Sequence, residues 1–203
     1  MRVLVTGGAG FIGGCLCEEL VKRGCEVSVL DDFSSGSRSN VQHLLDDHSH
    51  RVRLFVGDCT ERDDVAGALE GADVVFHFAA NPEVRLDLSD PETCFRQNVY
   101  ATHVVLEAIR KSGAKKIVFA STSTVYGDAR VVPTPEDYAP LEPISVYGAS
   151  KLASEALITA YAHSYGFAAL ILRFANIVGS RSGHGVIFDF VRKLRENPRE
   201  LEI

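Results

Sequence analysis

The feature that most constrains this chain is Thr6-Gly7-Gly8-Ala9-Gly10-Phe11-Ile12-Gly13, a glycine-rich turn set between a strand signal and a helix signal. It satisfies Gly-x-Gly-x-x-Gly through Gly8, Gly10 and Gly13, and Gly-x-x-Gly-x-x-Gly through Gly7, Gly10 and Gly13. In that context the missing side chains let the backbone approach a pyrophosphate closely. The helix amino end adds N–H groups and a partial positive charge. The chain carries a net charge of −6 and so no general basic field. An anionic ligand must therefore be held by local donors, and neither nucleic acid nor an anionic membrane is an expected partner.

Strand and helix signals alternate from this point on. Short β-branched runs at Arg2–Thr6, Glu26–Leu30, Arg51–Val56, Asp73–His77, Lys116–Ala120 and Ala168–Phe174 predict strands. Phe11–Arg23 carries Ile12, Leu16 and Leu20 on one helical stripe and stops at Gly24. Thr60 and Asp63 are candidate caps for a helix over Glu61–Leu69. Asp90-Pro91 opens a long helix to Ser112, and Ser145 caps Val146–Tyr165, which Gly166 closes. Val186–Glu196 reads as a last helix, Pro198 breaks it, and Leu201-Glu202-Ile203 has the look of a strand beginning. The order β-α-β-α predicts an α/β fold: a doubly wound parallel sheet of Rossmann type with helices on both faces. The long loops Asp31–Asn40, Phe78–Ser89, Gly127–Ile144 and Gly179–Gly185 are then the expected builders of the ligand crevice.

Asp31 ends the second strand, where a carboxylate accepts hydrogen bonds from an adenosine ribose. It would repel a 2′-phosphate, so NAD is favoured over NADP, and Asp32 reinforces that preference. Asp58, after the third strand, is placed to reach adenine. Phe78-Ala79-Ala80, after the fourth, supplies small residues at the switch point of the sheet. Five cysteines (Cys15, Cys17, Cys25, Cys59, Cys94) lack zinc-type spacing, and the histidines offer no helical His-x-x-x-His, so no metal is expected. No apolar run approaches a membrane span, and a strand-like segment begins at Arg2 with no signal peptide before it. The expected location is the cytoplasm.

Chemistry enters with Tyr147-Gly148-Ala149-Ser150-Lys151. Four residues apart on a helix, the tyrosine and lysine share a face. The ammonium would then hold the phenol near its ionised form, making Tyr147 a general base. A hydroxyl-rich strand end, Ser121-Thr122-Ser123-Thr124, lies between this pair and the glycine turn.

Together with Leu30-Asp31-Asp32, His77-Phe78-Ala79-Ala80, Asn98, Val125-Tyr126-Gly127-Asp128 and Arg173-Phe174-Ala175-Asn176, these motifs resemble the extended short-chain dehydrogenase/reductase family. The likeness is greatest to nucleotide-sugar epimerases of the UDP-glucose 4-epimerase type. The resemblance implies that Tyr147 takes the proton of the sugar 4-hydroxyl while hydride leaves carbon 4 for the nicotinamide. It implies that Lys151 binds the nicotinamide ribose and, with the cofactor's positive charge, depresses the tyrosine pKa, and that Thr122 bonds the same sugar oxygen. The implied cofactor set is Gly7, Gly10, Phe11, Ile12, Gly13, Asp31, Asp32, Ser35, Gly36, Asp58, Cys59, Phe78, Ala79, Ala80, Asn98, Ala120, Tyr147, Lys151 and Phe174. Asn176 joins Thr122 and Tyr147 on the substrate, which would be a UDP-hexose. Tyr126 is assigned to loop packing.

The residues after Thr122 separate the reactions of this family. Its 4,6-dehydratases carry an Asp-Glu pair there, and its glucuronate decarboxylases a glutamate, whereas Ser123 and Thr124 stand here. Epimerisation is favoured, with dehydrogenation of a small alcohol as a rival. Members continue into a smaller carboxyl-terminal domain. Residues 1–178 are thus expected to form the NAD-binding domain, and residues 179–203 the start of a substrate-binding region that is largely absent. A binding module with little turnover is the other-class alternative. The resemblance also implies a homodimer through the two long helices, with Val104, Val105 and Ala108, or Ala156, Leu157 and Ala160, on its apolar face.

Overall fold

The computed structural model describes residues 1–82, 90–179, 181–182 and 185–201. Six strands, β1 (Arg2–Thr6), β2 (Glu26–Asp31), β3 (Val52–Val56), β4 (Val74–His77), β5 (Lys116–Thr122) and β6 (Ala168–Phe174), form one parallel sheet in the order β3-β2-β1-β4-β5-β6. The order reverses between β1 and β4, and that is where a crevice opens above the carboxyl ends of the strands.

Alternation along each strand gives the sheet two cores. Val3, Val5, Val27 and Val29 point to one face, where Cys17, Leu20 and Val21 of α1 (Phe11–Lys22) and Leu44 of α2 (Ser39–Asp47) cover them. Leu4, Leu30, Ile117 and Phe119 point to the other. They meet Val65 and Leu69 of α3 (Arg62–Leu69), Leu106 and Ile109 of α5 (Ala101–Lys111), and Ile158 of α6 (Val146–Tyr165). Strands buried on both faces read as unbroken apolar runs, which is why they were visible as sequence.

Four local expectations change. Ser39–Asp47 is a helix that its polar composition concealed; Val41 and Leu44 bury against the core, and Arg38, Gln42 and Asp46 bond along its outside. Helix α3 begins one residue later than expected, and neither Thr60 nor Asp63 caps it. The long helix after Asp90 is not uniform. A short α4 (Pro91–Cys94), capped by Asp90, passes through a π-turn at Phe95–Tyr100 into α5. There the Asn98 carbonyl accepts the hydroxyls of Thr102 and Ser154 at 2.6 and 3.3 Å. Finally, Val104 and Val105 belong to the core, so they cannot supply a dimer face. Exposed apolar residues on these helices include Phe95, Tyr100, Ala156, Ala160 and Tyr165.

Ser145 caps α6 by accepting the Gly148 N–H, and Gly166 closes it in the left-handed region, both as expected. Cys17, Cys25, Cys59 and Cys94 are buried, with Cys15 exposed. Among the described residues no metal-binding cluster occurs, and no helix is long and apolar enough to cross a membrane. Helix α7 (Val186–Glu196) buries no residue. Residues 83–89 of the expected Phe78–Ser89 loop, Ser180, Gly183 and His184 of the Gly179–Gly185 loop, and Glu202-Ile203 lie outside the described residues.

One glycine has no structural task. A Cβ at Gly67, inside α3, would meet nothing within 4 Å. Gly67→Ala is expected to stabilise the chain by about 0.5–1 kcal/mol, because alanine loses less backbone entropy in a helix. An unchanged or lower urea midpoint would contradict this.

Candidate active site

A cleft of about 840 Å³ lies above the carboxyl ends of the strands, within the range of sites for cofactors and small ligands. Its floor is the glycine turn. Helix α1 starts with no side-chain cap at Gly10, and its first backbone bond is Gly14 N–H to the Gly10 carbonyl at 2.9 Å. The N–H groups of Phe11, Ile12 and Gly13 make no hydrogen bond among the described residues. Three parallel donors at a positive helix end form a diphosphate cradle. The turn is tight for steric reasons: a Cβ on Gly13 would stand 2.1 Å from the Gly7 carbonyl oxygen.

Asp31 anchors the next part of the cleft. One carboxylate oxygen accepts the Ala9 N–H at 2.8 Å and the other the Phe33 N–H at 2.9 Å. Burial raises its pKa, and these two amide bonds oppose the rise. Each oxygen keeps a lone pair for a ribose hydroxyl. Asp32 also lines the cleft and holds the loop, accepting the Ser34 N–H and hydroxyl at 2.9 and 2.6 Å. Asp58, Cys59, Ser35, Phe78, Ala79 and Ala80 line the same half of the cleft, and Ala120, Phe174 and Asn176 line the other.

Two expected cofactor residues do not reach it. Gly36 lies behind the wall, where a Cβ would strike the Ala9 backbone and the Asp31 carboxylate, each at 2.9 Å. Its lack of a side chain serves packing. Asn98 is 2 % exposed; its amide accepts the Asn81 N–H at 2.8 Å and donates to the Ser150 hydroxyl at 2.9 Å. It fastens the loop after β4 to α6 from beneath the cleft.

Thr122, Tyr147 and Lys151 share one wall. The Thr122 hydroxyl accepts from the N–H and hydroxyl of Thr124 at 3.2 and 3.1 Å. A side-chain hydrogen bond links Thr122 to Tyr147 and lowers the phenol's pKa. Lys151 is 2 % exposed, donates to the Ala120 carbonyl at 2.9 Å and lies over the Phe119 ring. Burial pulls its pKa down to about 7. In the chain alone burial pushes the Tyr147 phenol up, and only the bond from Thr122 opposes it; the expected depression calls for the cofactor's positive charge as well. The shared helical face was read correctly, but the low-dielectric wall penalises both charges.

Beneath this wall, Glu155 receives the Ser121 hydroxyl and a two-pronged contact from Arg173, whose Nη2 is 2.8 Å away. Arg173 also donates to the Tyr126 hydroxyl at 3.2 Å, so Tyr126 is a packing residue as expected. A second buried chain runs from Thr6 through His77 to Thr102, at 2.8 and 3.1 Å.

Burial, aided by the Lys151 charge, holds His77 neutral with its pKa pushed down to about 3. Between pH 6.5 and about 3, the unfolded chain takes up a proton that the folded one refuses, so stability falls as pH falls. The slope approaches about 1.4 kcal/mol per pH unit. Above that window the contribution is complete. The His77 imidazole resonances should stay in the neutral form at pH 5, and an ordinary midpoint near 6.5 would refute the assignment.

Sequence reasoning missed the contribution of α7, which brings Val186, Ile187, Val191, Arg192 and Arg195 to the cleft. Its apolar stripe was legible; that this stripe faces a cleft was not. It also missed Gln97, which lines the cleft and bonds the Asn81 side chain at 2.8 Å.

Comparison with known proteins gives a consistent assignment. Residues 3–203 match the NAD dependent epimerase/dehydratase family. The chain is 36% identical over 185 residues to a UDP-glucose 4-epimerase of Corynebacterium glutamicum, covering 91% of this chain and 54% of that protein. A crystal structure of UDP-galactose 4-epimerase superposes with a TM-score of 0.88 at 51% identity, covering 99% of this chain and 65% of the other. A dTDP-glucose 4,6-dehydratase of Streptomyces venezuelae, solved with NAD, gives a TM-score of 0.89 at 34% identity over 97% of this chain and 62% of the other. The chain therefore spans little more than half to two thirds of the length of these proteins.

Proposed function

Since this chain belongs to the NAD dependent epimerase/dehydratase family, we propose that its cleft serves 4-epimerisation of a nucleotide sugar, with a UDP-hexose as the substrate. The observation that carries the reading is the convergence of Thr122, Tyr147 and Lys151 on one wall of a cleft floored by the glycine turn. NAD is the family's cofactor, and the free amides of Phe11 to Gly13 and the Asp31 carboxylate fit its diphosphate and adenosine ribose. When bound, it supplies a hydride acceptor for sugar carbon 4 that later returns the hydride, with no net redox change.

The chain's own groups handle the proton. As a phenolate, Tyr147 accepts the proton of the sugar 4-hydroxyl and gives it back once the ketone has been reduced on its other face. Thr122 holds the same oxygen. Burial opposes the phenolate, so catalysis requires positive charge beside it. Lys151 supplies one when protonated, and its position below the wall also suits it to hold the nicotinamide ribose. Arg195, on α7, has no ion-pair partner among the described residues and lines the substrate half of the cleft. It suits an anionic nucleotide sugar.

Ser123 and Thr124 support epimerisation over dehydration, because neither is an acid that could assist loss of water. We take residues 1–178 as the cofactor-binding unit and 179–203 as the beginning of the substrate-binding one. We also place a homodimer on the long helices, through Phe95, Tyr100, Ala156 and Ala160 rather than the core valines. Light scattering that returned a monomer mass would remove the dimer.

The activity test is direct. The purified chain with UDP-galactose should yield UDP-glucose, and NAD should appear in the supernatant after denaturation. NAD without conversion would favour the second reading, a cofactor-binding module with little turnover.

A further inference from the structure

At the amino ends of the strands, opposite the cleft, a second cavity of about 190 Å³ opens on the sheet face that α3 covers. Helix α3 is only eight residues long and stops at Leu69, so the first residues of β1, β2 and β3 are left uncovered on that side. Arg2, Arg51 and Arg53 line the opening, with His50, Glu26 and Glu70 at its rim and Ser28 within. The register explains the gathering. Arg2 is level with Glu26, while Leu4, Ser28 and Arg53 form the next row across the sheet.

The polar groups here are unspent. Among the described residues, none of the three guanidinium groups forms an ion pair, although Glu26 and Glu70 line the same cavity and the Arg2 backbone N–H donates to the Asp73 carboxylate at 2.8 Å. Among the same residues the guanidinium groups of Arg2 and Arg53 make no hydrogen bond, and Arg51 makes one, from Nε to His50 Nε2 at 3.2 Å. Ser28 is 7 % exposed, yet its hydroxyl has no hydrogen-bond partner among the described residues while it lines the cavity. The hydroxyl is not closed off from solvent, so a water or a ligand oxygen can meet it in the cavity. Three guanidinium groups and two carboxylates line the cavity, with the Asp73 carboxylate beside it at the Arg2 N–H.

We propose that this cavity binds the phosphate group of a small anion. Guanidinium forks match tetrahedral oxyanions, and a hydroxyl donor suits the oxygen that points inward. The cavity exceeds a single phosphate and has room for a small esterified group. The site does not depend on the reading of the cleft, which lies at the other end of the strands.

Titrating inorganic phosphate into the isotopically labelled chain, with amide resonances as the readout, keeps the two ends of the sheet apart. Saturable shifts are expected at Arg2, Ser28, Arg53 and Glu70. The double substitution of Arg51→Gln and Arg53→Gln, both exposed residues, should weaken them by about tenfold or more. Ser28→Ala should weaken them less, without changing the spectrum elsewhere. Glycerol phosphate in a parallel titration separates an ester ligand, if it binds more tightly, from the free ion. Shifts confined to the glycine turn, an undiminished response in the arginine variant, or equal binding of acetate would each overturn the proposal.

Discussion

Replacing Tyr147 with phenylalanine is expected to lower turnover of UDP-galactose by about 10²–10⁴-fold, the usual contribution of a positioned general base, while NAD stays bound. The phenol oxygen is the only part removed. The ring still fills the wall, and the diphosphate donors at Phe11 to Gly13 lie on another element. Thr122→Val should produce a smaller loss, because it removes a hydroxyl that steers the reacting oxygen without accepting its proton. The measurement is single-turnover conversion by protein of checked NAD content. A phenylalanine variant as fast as the parent would end the proposed role of Tyr147, whatever became of cofactor binding.

The second large effect is structural. Gly13→Ala should cost about 3 kcal/mol or more, or release the cofactor entirely. The added methyl would stand 2.1 Å from the Gly7 oxygen and 2.9 Å from both the Gly7 carbonyl carbon and the Gly8 Cα. All three are backbone atoms, so no side chain can turn aside. Relief would require moving the turn away from α1, which separates the amides of Phe11, Ile12 and Gly13 from the position a diphosphate would take. Gly10→Ala is the control, since its nearest contact is the Gly7 oxygen at 3.2 Å and a shift of a few tenths of an ångström suffices. Thermal melting and retained NAD together report the outcome. An alanine at position 13 that melted normally and kept its cofactor would contradict the close packing of this turn.

The contrast with Gly67 shows what a glycine count cannot tell. Both residues sit in helices, and both look alike as letters. One is pressed against a neighbouring turn and the other faces open space. The same distinction explains the errors in the expected site. Gly36 and Asn98 lie in the right loops, but burial turns each toward protein and away from the cleft. Val104 and Val105 lie on the expected helix, yet they fill the core. Helix α2 was overlooked because its own residues favour a helix weakly; the two that bury, Val41 and Leu44, draw their stabilisation from the neighbouring α1 and β3.

Local sequence settled those properties that depend on neighbours in the chain. The strands are runs of apolar residues, the glycine turn is a spacing, and the 147/151 pair is one helical turn. Each follows from backbone geometry within a few residues. The sheet order, and with it the crevice between β1 and β4, followed from alternation because right-handed crossovers leave few choices. Packing alone decided the electrostatics. Tyr147 and Lys151 share a face as their spacing requires, but burial sets both pKa values, and burial is the work of β5 and the core under α6. Only the folded sheet, likewise, brings Arg2, Ser28 and Arg53 to one opening, because no two of them are close in the chain. Solvation depends on everything that surrounds a group, and that is a property of three dimensions.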